Sequence, residues 1–144
     1  MRVALAVLLA GFAMPAMAQE IPVPKVFKGL DGQKGEYKVQ VLERIPAAKS
    51  SRRAPEMTLC TDNLWDSARR AEKRATRDPE CKHRLLKDTA DEAVIESVCK
   101  ERTSTVTLTR ENENSLLMDI ASSGARGERK MKMRYTRLGE CGER

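Results

Sequence analysis

Beyond Pro79 the chain falls into five short alternating runs, a pattern that suggests half-buried β-strands. They span Cys81 to Lys87, Ala93 to Lys100, Thr103 to Arg110, Ser115 to Ala121 and Gly127 to Leu138. Polar turns separate them, the first around Asp88 to Asp91, so the runs read as a meander of antiparallel strands. Leu116, Met118 and Ile120 share one face of their run, and Met131, Met133 and Tyr135 share one face of theirs, with Lys130, Lys132 and Arg134 opposite. The methionines have two readings. They fill the core of a sheet short of aromatic residues, which is the plainer account, or they form a soft lining for an apolar ligand.

The chain before Pro79 supplies two more strands and a helix. Tyr37, Val39 and Val41 alternate with Lys38 and Gln40, and Glu56 to Cys60 forms a second extended run. Between them, Ala47 to Pro55 is polar and basic, with Lys49, Arg52 and Arg53, and reads as an exposed loop. Thr61 or Asp62 then offers a capping oxygen to a helix over Asp62 to Thr76. Its apolar stripe is Leu64, Ala68, Ala71 and Ala75, with Trp65 beside it. Arg69, Arg70, Lys73, Arg74 and Arg77 make this segment the densest basic cluster, read either as an anion-binding face or, more simply, as a solvated exterior. The expected fold is therefore mainly β: an antiparallel meander, curved sheet or partial barrel of about seven strands with one short α-helix.

The first eighteen residues have the layout of a secretory signal: basic Arg2, an apolar run from Val3 to Phe12, and small residues at Ala16 and Ala18. Cleavage is expected between Ala18 and Gln19. The apolar run falls short of the roughly 20 residues a spanning helix needs, so no transmembrane segment is expected. No cysteine follows the cleavage site closely enough for a lipid anchor, the nearest being Cys60. Residues 19–34, punctuated by Pro22, Pro24, Gly29 and Gly32, read as an extended lead-in, and residues 35–144 as a single small β-rich domain.

Export puts Cys60, Cys81, Cys99 and Cys141 in an oxidising setting, where an even number of cysteines implies two disulfides. Their wide spacing and the single histidine, His83, argue against a metal site or a catalytic thiol. Folding the chain back about Ala90 sets Cys81 opposite Cys99, which leaves Cys60 for Cys141. The rival pairing joins Cys60 to Cys81 and Cys99 to Cys141, and a one-residue shift of the turn would favour it.

Twenty-seven basic residues against 21 acidic ones give a net charge of +6, a mild excess. In an exported protein this excess points away from nucleic acid and toward solubility or an anionic envelope component. No phosphate loop, histidine pair or nucleophile elbow occurs, and no cofactor is expected. His83, in phase with Cys81 and Leu85, reads as a partly buried structural histidine before it reads as a general base.

The run from Thr58 to Thr61 before a helix, the Cys81 and Cys99 strand pair, and the ending Tyr135, Arg137, Leu138, Gly139, Glu140 and Cys141 resemble a bacterial family, the domain of unknown function 3617. The resemblance covers about residues 35 to 141. It implies a small exported protein of a Gram-negative bacterium, periplasmic or secreted, and no assigned activity or site residues. The family opens its first strand with Gly and Trp, where this chain has Gly35 and Tyr37.

Three functions fit these readings. One is a non-catalytic envelope protein whose sheet binds a small apolar ligand or an anionic envelope component. Another is a hydrolase-like enzyme using dispersed carboxylates or His83, and the third is a purely structural role. An enclosed pocket with convergent polar groups would favour the enzyme, and a filled interior the structural role. Mass spectrometry of the exported protein is expected to find Gln19 first; a periplasmic form still beginning at Met1 would end the signal reading.

Overall fold

The alternating runs assemble into one open seven-stranded antiparallel sheet. The computed structural model describes residues 21–28, 34–46, 56–76 and 81–142, without the side chains of residues 71–76. Its strands are β1 (Gly35–Ile45), β2 (Glu56–Thr61), β3 (Lys82–Asp88), β4 (Glu92–Val98), β5 (Arg102–Asn112), β6 (Ser115–Gly124) and β7 (Arg129–Gly139). A helix, α1 (Leu64–Thr76), joins β2 to β3. All five runs beyond Pro79 are strands, with ends within three residues of those read from the sequence. The signal segment, the cleavage site, the basic loop and Arg77 lie outside the described residues.

The strand order is β2-β1-β7-β6-β5-β4-β3. From β3 to β7 this is the expected meander. The first strand, however, pairs with the last, Val39 opposite Tyr135 and Val41 opposite Met133, so β2 and β3 become opposite edges. Gly35 permits the close approach at one end of that pairing: at φ 149°, an added Cβ would lie 2.6 Å from the Gly139 carbonyl oxygen.

This order dictates where the helix goes. Six inter-strand steps at about 4.8 Å separate the edges by roughly 29 Å. Thirteen helical residues cover about 20 Å of the way from β2 to β3, and α1 lies over one face of the sheet. Leu64 (1% exposed) and Trp65 are buried against that face and Ala68 is partly buried, whereas Arg70 is exposed. The cap differs from the expected one. Asn63, not Thr61 or Asp62, accepts the Asp66 backbone N–H at 3.0 Å, while Thr61 holds the preceding turn through the Asn63 backbone and the Ser67 hydroxyl.

A second correction concerns the lead-in. Residues 21–28 are packed rather than merely extended: Ile21, Val26 and Phe27 join the core, with a 3-10 turn at Lys25–Phe27. The Phe27 ring lies 5.6 Å from the Trp65 ring. Two polar contacts hold the segment, since the Lys25 N–H donates to Asp88 Oδ1 at 2.7 Å and Arg110 Nη1 donates to the Lys28 carbonyl at 2.7 Å. The prolines keep it out of the sheet, but Ile21, Val26 and Phe27 still join the core that α1 covers.

Both disulfides follow the fold-back pairing. Cys81 joins Cys99 across the open end of the β3–β4 hairpin, with Cα atoms 4.1 Å apart. Cys60 joins Cys141 at 5.5 Å, tying the end of β2 to the chain's last turn. Cross-linking residues 81 positions apart restricts the unfolded chain by roughly 4 to 5 kcal/mol in the chain-entropy account. Among the described residues, no helix is long and apolar enough to cross a membrane.

On the face away from α1, basic side chains meet acidic ones. Arg134 donates from Nε and Nη2 to the two Glu111 carboxylate oxygens at 2.7 and 2.8 Å, and Lys132 sits 3.5 Å from Asp119. The β7 basic row is therefore largely a neutralised outer face.

Leu64→Ala should lower stability by about 2 to 5 kcal/mol, as for other fully buried leucines, while Arg70→Ala leaves the thermal midpoint nearly unchanged. Equal losses would contradict the assigned faces. A second expectation concerns pH. The Arg134 and Ser115 hydrogen bonds hold the Glu111 carboxyl below its ordinary 4.5. A carboxyl depressed in the fold stabilises it above the unfolded-state value, and this contribution is lost as pH falls through the folded value. Glu111→Gln should thus destabilise at neutral pH and converge with the wild type in acid; a midpoint difference undiminished well below the carboxylate range would contradict the linkage.

Candidate functional site

Pairing register converts the alternation of single strands into rows that run across the sheet beneath α1. One row holds Leu85, Ile95, Val106, Ile120 and Met131, each opposite the next on the neighbouring strand. The next row, two residues further along each strand, holds Ala93, Leu108, Met118 and Met133. On the other side of the first row the chemistry changes. His83, Ser97, Ser104 and Ser122 form a polar row in the same register, and Arg102 stands one step beyond it on β5.

Between these rows and α1 lies a cleft of about 390 Å³. Its floor comes from the two apolar rows, Leu85 and Ala93 excepted, and from Tyr135, and its wall from Ile21, Trp65 and Ala68. On β5 and β6 burial is greatest at one end: Leu108 and Met118 are buried, whereas Val106, Ile120, Ser104, Ser122 and Arg102 are half-buried, as are Met131 and Met133 on β7. The polar row is thus the mouth and the methionine row the deep end. From Ser122 to Met118, four residues of β6 make this floor about 13 Å long.

The charged groups of the lining are of one sign. Arg69 and Arg102 line the cleft, and no Asp or Glu does. Arg69 lies with its guanidinium 5.7 Å from the centre of the Trp65 ring, a cation–π contact that holds it on the helix side of the cleft. Among the described residues neither Arg69 nor Arg102 has a carboxylate partner. His83 Nδ1 is 2.7 Å from Ser97 Oγ. Ser97 is 1% exposed and does not line the cleft, so its hydroxyl orients the imidazole and is out of reach of a substrate. Burial pushes the Tyr135 phenol up, keeping it neutral beside the apolar floor.

The structure assigns the sequence-level candidates to different places. Met118 and Met133 serve as core and as cleft floor together, and Met131 as cleft floor. His83 is half-buried and hydrogen-bonded, as expected of a structural histidine, yet it also lines the cleft near its mouth. Of the helix cations, Arg69 faces the site while Arg70 faces solvent; the side chains of Lys73 and Arg74 lie outside the described set. All four cysteines are in disulfides, so no thiol is available for chemistry. Among the described residues, no group of three His, Cys, Asp or Glu side chains could hold a metal ion.

Sequence reasoning missed Arg102, Ser104 and Ser122. A signal for Arg102 was present, because it falls in phase with Val106 and Leu108, a charge on the apolar face of its strand. Comparisons with protein families, curated proteins and solved structures find no match to this chain.

Proposed function

We propose that this protein is an exported, non-catalytic binding protein that takes a small apolar ligand between the sheet and helix α1. The observation that carries the reading is the open cleft of about 390 Å³ with a mainly apolar lining, within the size range of small-molecule sites. Each methylene group moved from water into it is worth about 0.8 kcal/mol, and methionine side chains on the floor adapt to the ligand's shape. Two disulfides support an oxidising compartment, in keeping with the signal-like N-terminal segment. The resemblance to the domain of unknown function 3617 belongs to the same proposal and adds a periplasmic setting.

Two features weigh against the alternatives. A purely structural protein has no use for an unfilled interior, which costs the contacts that packing would supply. A hydrolase using a serine activated by His83 needs an accessible hydroxyl, whereas the hydroxyl paired with His83 is buried. One using carboxylates needs an Asp or Glu beside the substrate, whereas none lines the cleft. An anionic polymer on the outer face is disfavoured because Arg134 and Lys132 already have carboxylate partners there.

The chain's sole tryptophan, Trp65, is a built-in reporter on the cleft wall. Nile red should bind saturably at one site and accept energy from Trp65. Met131→Trp, which fills the cleft near its mouth, should weaken that binding at least tenfold without lowering the thermal midpoint. Absence of saturable binding, or equal binding by the variant, would overturn the proposal.

A further inference from the structure

Resting on that reading, we infer that the natural ligand is a single-chain fatty acid, its carboxylate held at the polar mouth by Arg102 and its chain laid toward Met118. Arg102 projects from the sheet face that otherwise carries Ser104, Val106 and Leu108, and it is half-buried. Desolvating a guanidinium without a counter-charge is unfavourable, and no carboxylate pairs with it among the described residues. Arg69 adds a second cation on the opposite wall, and the lining holds no acid at all. The counter-charge that suits this mouth comes from a ligand.

The polar row specifies where the head sits. Ser104 and Ser122 are directly opposed across β5 and β6, with Arg102 one step outward on the same face. A carboxylate there can accept the two parallel N–H bonds of one guanidinium and a hydroxyl from either serine. Moving inward, every floor position is apolar: Val106 and Ile120 in the first row, Leu108 and Met118 in the second. A molecule matching this gradient is charged at one end and apolar along the rest. The volume and the roughly 13 Å floor fit one acyl chain and leave no room for a second, which separates a fatty acid from a two-chain phospholipid.

Displacement of Nile red tests this with dodecanoate, dodecanol and dodecylammonium, each below its critical micelle concentration. Dodecanoate should bind about ten- to hundredfold more tightly than dodecanol, the range for hydrogen bonds to a charged group, and dodecylammonium most weakly. Arg102→Gln should remove most of that preference while leaving dodecanol affinity unchanged, which also shows that the variant is folded. Arg70→Gln, at an exposed site on α1, should change nothing. Equal binding of acid and alcohol by the wild type would overturn the fatty-acid inference and leave the apolar cleft standing. Failure of all three to displace the dye would also overturn it. Failure of the dye itself to bind would overturn the underlying reading. An acid preference that survives Arg102→Gln would refute the placement of the head group, and a dodecyl phosphate affinity far above that of dodecanoate would assign the mouth to a phosphate instead.

Discussion

Pairing of the first strand with the last is the constraint on which the rest of the molecule depends. Once β1 lies against β7, the hairpin partner β2 is forced to one edge of the sheet, and β3, which begins the meander, lies at the other. The chain must travel between these edges, and it does so as α1 over one face. That single crossing sets which face is core, where Leu64 and Trp65 can bury, and why space remains between helix and sheet. Loop-closure entropy makes so distant a pairing costly to form, and the Cys60–Cys141 bond acts on the same closure by fastening β2 to the residues just after β7.

An open sheet of seven strands leaves two unpaired edges, which are treated differently. On β3, Lys82, Arg84 and Lys87 are exposed and make the edge a poor template for a further strand. At the other side β2 is only six residues long and is anchored at its end by Cys60. Covering the sheet falls to α1 and residues 21–28, and these meet through Phe27 and Trp65. Together they cover the apolar face, and the cleft lies between them and the strands beneath.

The site's chemistry follows from register more than from residue type. Serine at 104 and serine at 122 are unremarkable in a strand, yet antiparallel pairing brings them side by side and sets Arg102 next to them. The same register stacks Met118 against Met133 at the deep end. A gradient from cationic to polar to apolar thus runs along the strands, and each of its steps is two residues long because alternate side chains share a face.

Strand positions, the helix and the split of Leu64 from Arg70 were legible in the sequence, because periods of two and near four are local and depend only on backbone geometry. The Cys81–Cys99 pair was also within reach, since one turn of fixed length sets its register. The cap at Asn63 was one residue beyond the expected one, and the burial of Ile21, Val26 and Phe27 was hidden behind prolines that signal only the absence of regular structure. What only the tertiary structure decided was the β1–β7 pairing, the crossing of α1, and the meeting of Arg69, His83 and Arg102 near one mouth. Those residues are far apart in the chain, and nothing local encodes their distance. It is fixed by which strands pair and in what register, a free-energy difference summed over the whole sheet.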